Sequence, residues 1–235
     1  MKTKRLMILA MVLAAVLILP VGAKACLVNF SITVSADDGV SPVDSQTFSG
    51  SGYTDADGKF VWALGTPMAL LGGSLDSLKL TVNSDPEVGV DFGFKSLSST
   101  ATYSISDVVY FDSLVNPIAY ASAGVTLTDR APSGATITGL FDGGKTYQAM
   151  YNGSTVFANL VDGFSVSGGT SIAGEDSPSV QIIDTLTSIG SEFRFKLSAG
   201  DSASGTSNFV VVPEPATMCL LGLGLTALIS RRKRS

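Results

Sequence analysis

Short runs in which apolar and polar residues alternate fill most of the chain between residues 27 and 212. In the first run, Val28, Phe30, Ile32 and Val34 fall on one face of an extended strand. Gly, Asp, Asn, Ser and Pro separate the runs, which is typical of strands joined by turns. We predict about a dozen strands, at residues 27–34, 60–64, 75–82, 88–94, 103–111, 118–127, 135–141, 146–151, 155–160, 180–183, 192–197 and 209–212.

Turn sequences indicate antiparallel hairpins between some of these runs. Asp142-Gly143-Gly144 follows residues 135–141, and Asn152-Gly153 precedes residues 155–160. Asp-Gly and Asn-Gly between alternating runs are strong hairpin signals, and no helical period separates the strands. The sequence therefore predicts an all-β fold, an antiparallel β-sandwich of the jelly-roll kind.

Two stretches within this region lack a strand pattern. Residues 63–75 contain Pro67 and Gly72-Gly73, which favour a loop over a helix. Residues 198–207 are small and polar, and we interpret them as a loop or the start of a spacer. The absence of an internal repeat with a fixed period disfavours solenoids and propellers.

Charge is distributed unevenly along the 235 residues. Both ends are basic, whereas the segment between Cys26 and Pro215 carries seven cations against all 20 acids. The formal net charge of the whole chain is -5. Because phosphate binding requires a cationic surface, the acidic middle argues against nucleic acid as a partner.

The first 25 residues have the layout of a secretory signal peptide. A positive segment comes first, an apolar run follows at residues 6–19, and Pro20 then ends that run. The positive segment consists of Lys2, Lys4 and Arg5. The apolar run is shorter than the roughly 20 residues of a stable membrane span, which favours a cleaved signal over an uncleaved anchor.

The expected cleavage site follows directly. Ala23 and Ala25 supply the small-x-small pattern that signal peptidase reads, so Cys26 becomes the first mature residue. A lipid on Cys26 remains an open alternative, although Lys24 fits a lipoprotein signal poorly.

A second apolar segment lies near the C-terminus. Residues 216–230 measure about 22 Å as a helix, which is short of a hydrocarbon core of roughly 30 Å. An extended stretch with two prolines precedes this segment, and a basic cluster follows it that we expect on the cytoplasmic side. The flanking residues are Val212, Pro213, Glu214 and Pro215 before the segment and Arg231, Arg232, Lys233 and Arg234 after it.

This order of Pro-Glu-Pro, short hydrophobic helix and Arg-rich end resembles the PEP-CTERM sorting signal of Gram-negative and related bacteria. The resemblance is confined to residues 212–234. It implies recognition by a membrane-embedded exosortase and removal of the tail near Pro213-Glu214-Pro215. It also implies a host that makes exopolysaccharide, with the mature protein in the extracellular matrix of a biofilm or on the cell surface. An ordinary tail anchor is the alternative, and the short apolar segment favours sorting.

We therefore divide the chain into three parts. A signal peptide occupies residues 1–25, a β-sandwich mature domain occupies residues 26–211, and the sorting signal occupies residues 212–235. Signal peptidase and exosortase are the expected processing partners, and the short C-terminal transmembrane helix anchors the precursor in the membrane transiently.

The composition excludes several kinds of chemistry. There is no histidine, which removes Ser-His-Asp and Cys-His catalysis and histidine-ligated metal sites. Of the two cysteines only Cys26 remains after both cleavages, so no intrachain disulfide is expected. We predict no catalytic residue, no metal and no cofactor. Carboxylates are the remaining reactive class, since glycosidases use two acids about 5–10 Å apart.

Two weaker binding candidates remain. Asp55 and Asp57 precede Gly58 as in the first half of a calcium loop, but position twelve of that loop is Thr66 and not an acid. A plain hairpin turn is the favoured interpretation. Trp62 is a candidate for stacking on glycans, as are the tyrosines, whereas packing between strands is the favoured role for these rings.

Three hypotheses for the mature domain follow. The first is a non-catalytic structural or adhesive surface protein linked to exopolysaccharide, which the absent histidine, the acidic charge and the sorting signal favour. The second is a carbohydrate-binding module that docks on exopolysaccharide through exposed aromatic rings. The third and least favoured is a glycosidase or lyase that uses carboxylates alone.

Overall fold

The computed structural model describes residues 27–212, except residues 56, 57, 84, 85, 98 and 132 and the side chain of Leu27. Sixteen strands follow one another in this part of the chain. They are β1 (Leu27–Asp37), β2 (Asp44–Tyr53), β3 (Lys59–Ala63), β4 (Met68–Leu70), β5 (Gly73–Asn83), β6 (Glu87–Ser96), β7 (Ala101–Val115), β8 (Ile118–Asp129), β9 (Ala135–Gly139), β10 (Lys145–Tyr151), β11 (Thr155–Asp162), β12 (Phe164–Val166), β13 (Gly169–Asp176), β14 (Val180–Gln181), β15 (Thr185–Leu197) and β16 (Ser202–Val212).

The terminal segments lie outside the described residues. These segments include the predicted cleavage site at Ala23, Ala25 and Cys26 and the predicted hydrophobic helix near the C-terminus. Within the described ranges the helical structure is a single 3-10 turn, Asp142–Gly144. No helix in those ranges combines the length and the apolar character that crossing a membrane requires.

The strands form two sheets of eight strands each, and every strand pair in the described residues is antiparallel. Sheet A has the order β11-β10-β15-β7-β1-β2, with β9 beside β15 and β12 beside β9. Sheet B has the order β13-β8-β16-β6-β5-β3, with β14 beside β8 and β4 beside β5. The predicted all-β fold with antiparallel sheets is confirmed.

The buried faces of the two sheets contact each other in a sandwich-like arrangement. The ring centroids of Phe92 in sheet B and Phe193 in sheet A are 4.8 Å apart. Those of Phe94 and Tyr103 are 4.6 Å apart, again across the two sheets. Every second residue of each strand points inward, so the alternating sequence pattern supplies this core. The more specific jelly-roll topology stays a prediction.

One of the two predicted hairpins forms and the other does not. β10 and β11 pair through the turn at Asn152-Gly153, where both residues adopt positive φ angles of 48° and 87°. The segment Asp142–Gly144 instead joins β9 to β10, which lie end to end along the same edge of β15. The hairpin prediction there is wrong because both strands use β15 as their partner.

The sequence pattern misses β2, β4, β12 and β13, and it assigns most of β16 to a loop or spacer. The reason is visible where glycine occupies the core face. A Cβ on Gly52 of β2 would lie 2.3 Å from the Phe60 ring, and one on Gly205 of β16 would lie 2.6 Å from the Phe92 ring. A ring from a nearby strand fills the space, so these strands need no apolar residue of their own there.

Candidate functional site

The outer surface of β1, β2 and β7 carries an array of hydroxyl side chains, which we name the hydroxyl face. Alternation places these residues outside, because Phe30, Ile32 and Val34 of β1 point into the core. The hydroxyl face consists of Ser31, Thr33, Ser35, Ser45, Thr47, Ser49, Ser51, Thr102, Ser104 and Ser106. Val108 lies opposite Ser31 towards one end of this array, and Asp37 lies opposite Thr102 at the other end.

The strand register aligns these side chains in rows. Thr47, Thr33 and Ser106 lie opposite one another on the three strands, and the hydroxyls of Thr47 and Thr33 are 2.9 Å apart. Neighbouring positions in such a sheet are about 4.8 Å apart between strands and about 6.8 Å apart along one strand. Each hydroxyl can donate one hydrogen bond and accept two, so these side chains present a dense pattern of donors and acceptors.

A charged row borders the hydroxyl face on the far side of β7. Glu192, Arg194 and Lys196 alternate outward along β15, and Glu192 accepts a hydrogen bond of 3.0 Å from Ser104 Oγ. The array of neutral hydroxyls therefore ends at β15.

Two exposed tyrosines lie at one end of the hydroxyl face. Tyr53 on β2 is 69% exposed and Tyr110 on β7 is 55% exposed. Tyr53 pairs with Leu27 and Tyr110 pairs with Asn29, so the two rings flank β1 in adjacent rows. Strands β2 and β7 are about 10 Å apart across β1. The pair offers two flat surfaces on which sugar rings can stack.

Trp62, the sequence-based candidate for glycan stacking, has a different environment. Its ring centroid lies 5.8 Å from that of Phe30 and 5.2 Å from that of Phe48, and it packs against the core. Trp62 belongs to sheet B and both phenylalanines belong to sheet A, so the ring joins the two sheets. The outward parity of Tyr110 in the predicted strand 103–111 was a signal that could have identified one exposed ring, whereas Tyr53 lies on β2, which the sequence pattern missed.

The weak calcium candidate forms part of a turn. Asp55 Oδ1 accepts a hydrogen bond of 2.9 Å from the Lys59 amide, and the Asp55 carbonyl accepts one of 3.0 Å from the Gly58 amide. Asp57 lies outside the described residues. The turn joins β2 in sheet A to β3 in sheet B, so it is not a hairpin. Among the described residues no three acidic or cysteine side chains come together as a metal site would require.

The three glutamates of the mature domain are widely separated. Glu87 accepts a hydrogen bond from Asn208, Glu175 pairs with Lys145, and Glu192 accepts one from Ser104. Two strands separate the strands of Glu87 and Glu175, and the row of Glu175 meets β6 at Val90, three residues from Glu87, so the two glutamates are roughly 17 Å apart. Glu192 lies on the outer surface of the other sheet. No two of these glutamates are arranged as glycosidase carboxylates are.

Two acids in the described residues are buried without a counterion, Asp107 and Asp201. Asp201 accepts hydrogen bonds from the Arg130 amide and from Ser198 Oγ. Asp107 on β7 is 5% exposed, and Ser191 Oγ on β15 donates a hydrogen bond to its Oδ2. Burial raises the pKa of the Asp107 carboxyl to about 7, and the hydrogen bonds from Ser191 oppose this only in part. Burial, and then the charge of Asp107, also raise the pKa of Tyr147.

Other polar atoms accompany Asp107 in the interior. Asp107 Oδ1, the Tyr147 hydroxyl and Ser207 Oγ form no hydrogen bond of good geometry within the described structure. Asp107 and Tyr147 belong to sheet A, whereas Ser207 belongs to β16 of sheet B. Protonation of Asp107 supplies a donor to this group and removes the cost of burying a charge.

A partly buried ion pair connects the two sheets at one edge. Lys145 Nζ on β10 lies 2.8 Å from Glu175 Oε2 on β13 and 3.2 Å from Asp162 Oδ1 on β11. The same Glu175 oxygen accepts a hydrogen bond of 2.8 Å from the Val161 amide. Val161 has a φ of 63°, which is strained for a β-branched residue, and Glu175 helps to stabilise this conformation.

The end of β16 leads into a recognisable sorting motif. Residues 211–234 match the PEP-CTERM protein-sorting motif, so the match begins within the last two residues of β16. The motif defines an exported protein that is directed to the cell surface. The chain carries the PEP-CTERM sorting signal and is an exosortase target.

Other comparisons give little further information. No curated protein is similar enough to count as a match. A chain of the T13 viral particle of IBDV is 10% identical, with a TM-score of 0.27, over 82% of this chain and 63% of that chain. A chain of the Gt strain of infectious bursal disease virus is 12% identical, with a TM-score of 0.24, over 84% of this chain and 69% of that one. At these TM-scores the likeness does not define a shared fold.

Proposed function

We propose that the exported protein is a non-catalytic structural or adhesive component of the cell surface or extracellular matrix, and that its partner is exopolysaccharide. The hydroxyl face is the observation that carries this proposal. It offers aligned donors and acceptors to a polymer whose own polar groups are mainly hydroxyls. Water competes for each contact, so binding depends on many contacts along one polymer chain.

Removing one row of hydroxyls tests the hydroxyl face. The triple variant Thr33→Val, Thr47→Val and Ser106→Ala keeps side-chain shape and strand preference while it deletes three hydroxyls. We expect co-sedimentation with exopolysaccharide purified from the host to fall severalfold. Retention at the wild-type level would contradict the proposal.

Sheet B offers a matched control for this variant. Thr170, Thr128 and Ser202 lie opposite one another on β13, β8 and β16, which are the edge, second and third strands of that sheet. The hydroxyls of Thr128 and Thr170 are 3.1 Å apart, close to the spacing of the Thr33–Thr47 pair. Thr170→Val, Thr128→Val and Ser202→Ala should leave exopolysaccharide binding unchanged.

A discrete carbohydrate-binding module is the second candidate, and the exposed pair Tyr53 and Tyr110 favours it. If stacking on these rings provides the affinity, Tyr53→Ala with Tyr110→Ala should weaken binding about tenfold, which corresponds to about 0.7 kcal/mol for each ring. Tyr120→Ala is the control, because Tyr120 is exposed on the other sheet. If the tyrosine variant loses exopolysaccharide binding while the hydroxyl variant binds as the wild type does, the carbohydrate-binding module is favoured over the structural role.

Asp162 and Glu175 are the neighbouring acids described above, and both form ion pairs with Lys145 Nζ, which occupies the space between them. This pairing and the wide separation of the three glutamates support the non-catalytic role in this proposal. A carboxylate-only glycosidase or lyase would release new reducing ends from a polysaccharide. Reducing-end release by the purified protein from the host exopolysaccharide would contradict the non-catalytic role, and we expect none above the level of a heat-denatured sample.

We further propose that two cleavages produce the mature domain at residues 26–211 from a precursor anchored in the membrane. Signal peptidase would cut after Ala25, and exosortase would cut near Pro213-Glu214-Pro215. Mass spectrometry of the protein from its host should find Cys26 at the N-terminus and no basic tail. Recovery of chains that retain both Met1 and Ser235 would contradict this processing.

A further inference from the structure

Strand β2 forms an unusually open edge of sheet A. It pairs only with β1, its register with β1 is unbroken from Asp44 to Tyr53, and most of its residues are exposed. Edge strands of soluble proteins commonly carry lysine, proline or a bulge, because these features prevent pairing with other strands. β2 has the sequence DSQTFSGSGY and contains none of them.

The edge strands β13, β3 and β11 carry charges, are short or are irregular, and β4, β12 and β14 have only two or three residues each. β13 carries two acids, Glu175 and Asp176, and β3 is five residues long and starts with Lys59. β11 bends at Val161, and a register shift interrupts its pairing with β10. Among the described strands, β2 is therefore the long edge that is open to a partner strand.

We propose that β2 pairs antiparallel with β2 of a second copy of this chain, about a twofold axis, so that the two sheets A become one continuous sheet. Opposed residues must lie on the same face of such a sheet. The register centred on Phe48 meets this condition. It places Thr47 opposite the partner's Ser49, and Val43 opposite the partner's Tyr53.

Exposed apolar side chains favour a second copy as the occupant. Val43, the residue directly before β2, is 58% exposed, and Tyr53, the last residue of β2, is 69% exposed. In the proposed register each of them packs against the other in the partner, at both ends of the contact. The pairing therefore covers apolar surface that the single chain leaves in water.

Charge also permits self-pairing along β2. Asp44 is the only charged residue of the strand, and it lies opposite the partner's Gly52. The two Asp44 carboxylates are then roughly 27 Å apart along the sheet, so they do not repel each other appreciably. A twofold contact uses the same surface of both copies, so assembly stops at a dimer and does not continue into a fibre.

A charge-exchange experiment tests the pairing of β2 without any polysaccharide. A negative result would therefore contradict the dimer and would leave the proposed binding of exopolysaccharide untouched. Thr47→Lys with Ser49→Lys puts like charges opposite each other twice, and so does Thr47→Glu with Ser49→Glu. Sedimentation velocity over a concentration series of the protein recovered from its host should show a monomer–dimer equilibrium for the wild type. Each variant alone should be monomeric, and an equal mixture of the two should recover the dimer.

Ser204→Lys with Thr206→Lys is the matched control, because it adds the same charges at the same spacing on an exposed inner strand of sheet B. This control should dimerise as the wild type does. A wild type that stays monomeric at every concentration would overturn the proposal and would leave β2 free or covered by another segment or protein. Lysine variants that dimerise normally would also overturn it.

A cross-link provides an independent measurement of the register. With Cys26 and Cys219 replaced by serine, copies carrying Thr47→Cys should form a disulfide with copies carrying Ser49→Cys, because opposed Cβ atoms in a sheet approach disulfide distance. Either variant alone should cross-link much more slowly. Equal rates in all three samples would contradict the register centred on Phe48.

Discussion

Ser191 on β15 donates a hydrogen bond to the carboxylate of Asp107 on β7, and the two residues are only 2% and 5% exposed. They lie directly opposite each other in the ladder between these strands, in the middle of sheet A. Asp107 forms no ion pair within the described structure, so its ionisation places an uncompensated charge between the sheets.

This environment predicts that the protein becomes less stable as the pH rises. The pKa of Asp107 is about 7 in the folded protein, against 3.8 for an ordinary aspartate, so folding favours the protonated acid. The resulting stabilisation is complete below pH 4, decreases between pH 4 and 7, and is lost above pH 7. Its full size is on the order of 4 kcal/mol.

The variant Asp107→Asn tests this dependence by urea unfolding at a series of pH values. Asparagine accepts the Ser191 hydrogen bond but does not ionise, so the slope between pH 4 and 7 should flatten. The variant should also be more stable than the wild type at pH 8. Asp91→Asn, which changes an exposed acid paired with Lys79, should keep the wild-type slope. A wild-type slope in Asp107→Asn would show that Asp107 is not the titrating group.

The Lys145–Glu175 pair should matter more than the exposed Lys79–Asp91 pair. Glu175→Ala leaves Lys145 with Asp162 alone and removes the side-chain acceptor of the Val161 amide, and we expect a loss of about 1–3 kcal/mol in the free energy of unfolding. Glu175→Gln still accepts a hydrogen bond from the amide and should lose less. Asp91→Ala should cost less than about 1 kcal/mol. Equal losses for Glu175→Ala and Asp91→Ala would rule out a special role for the contact between sheets.

Trp62→Ala should destabilise the fold rather than act on a glycan contact. The ring packs between Phe30 and Phe48, so its removal leaves a cavity between the sheets. We expect a loss of about 2–3 kcal/mol by urea unfolding, less than for a fully buried tryptophan. Exopolysaccharide binding by the folded variant should match the wild type. Lost binding with unchanged stability would restore Trp62 as a stacking residue.

The turn after β10 provides a prediction about a single asparagine. Asn152 has a φ of 48°, and its side chain bonds with the Thr185 carbonyl at 2.9 Å and the Thr187 amide at 3.0 Å. Asn152→Gly suits the backbone but loses both bonds, which should cost about 1–2 kcal/mol. Asn152→Ala should cost about 1 kcal/mol more, because alanine disfavours this φ. If Asn152→Gly unfolds at the same temperature as the wild type, the two side-chain hydrogen bonds of Asn152 contribute nothing to stability.

The sequence predicted strands well wherever large apolar residues alternate on the core face. β1, β5 and β6 follow this pattern, and the structure buries their alternating residues. The pattern did not predict β2 and much of β16, because their inward positions include Gly52 and Gly205. The rings of Phe60 and Phe92 fill the room that side chains at these two positions would take. A pattern within one strand does not reveal a ring supplied by another strand.

The candidate site was predictable only in part. Alternation alone puts the serines and threonines of β1 and β7 outside, but the hydroxyl face also needs β2, which the pattern did not identify. Asp107 had a signal, since it follows Tyr103 and Ile105 at the inward spacing of a strand. Ser207, another member of the same set of buried polar residues, is far from Asp107 in sequence and belongs to the other sheet. The sequence alone therefore did not reveal this set, because it forms only when the two sheets pack together.

The sorting motif begins inside β16, and this strand has a partner on each side, β6 and β8. Tension applied to the C-terminal end of β16, as a surface attachment at that end would apply it, acts parallel to the strand. The hydrogen bonds of both ladders run across the strand, so the load is shared among them as shear. An outermost strand pulled in the same way would peel off one bond at a time. The position of β16 thus gives the domain mechanical resistance at the point where its tail leaves the sheet.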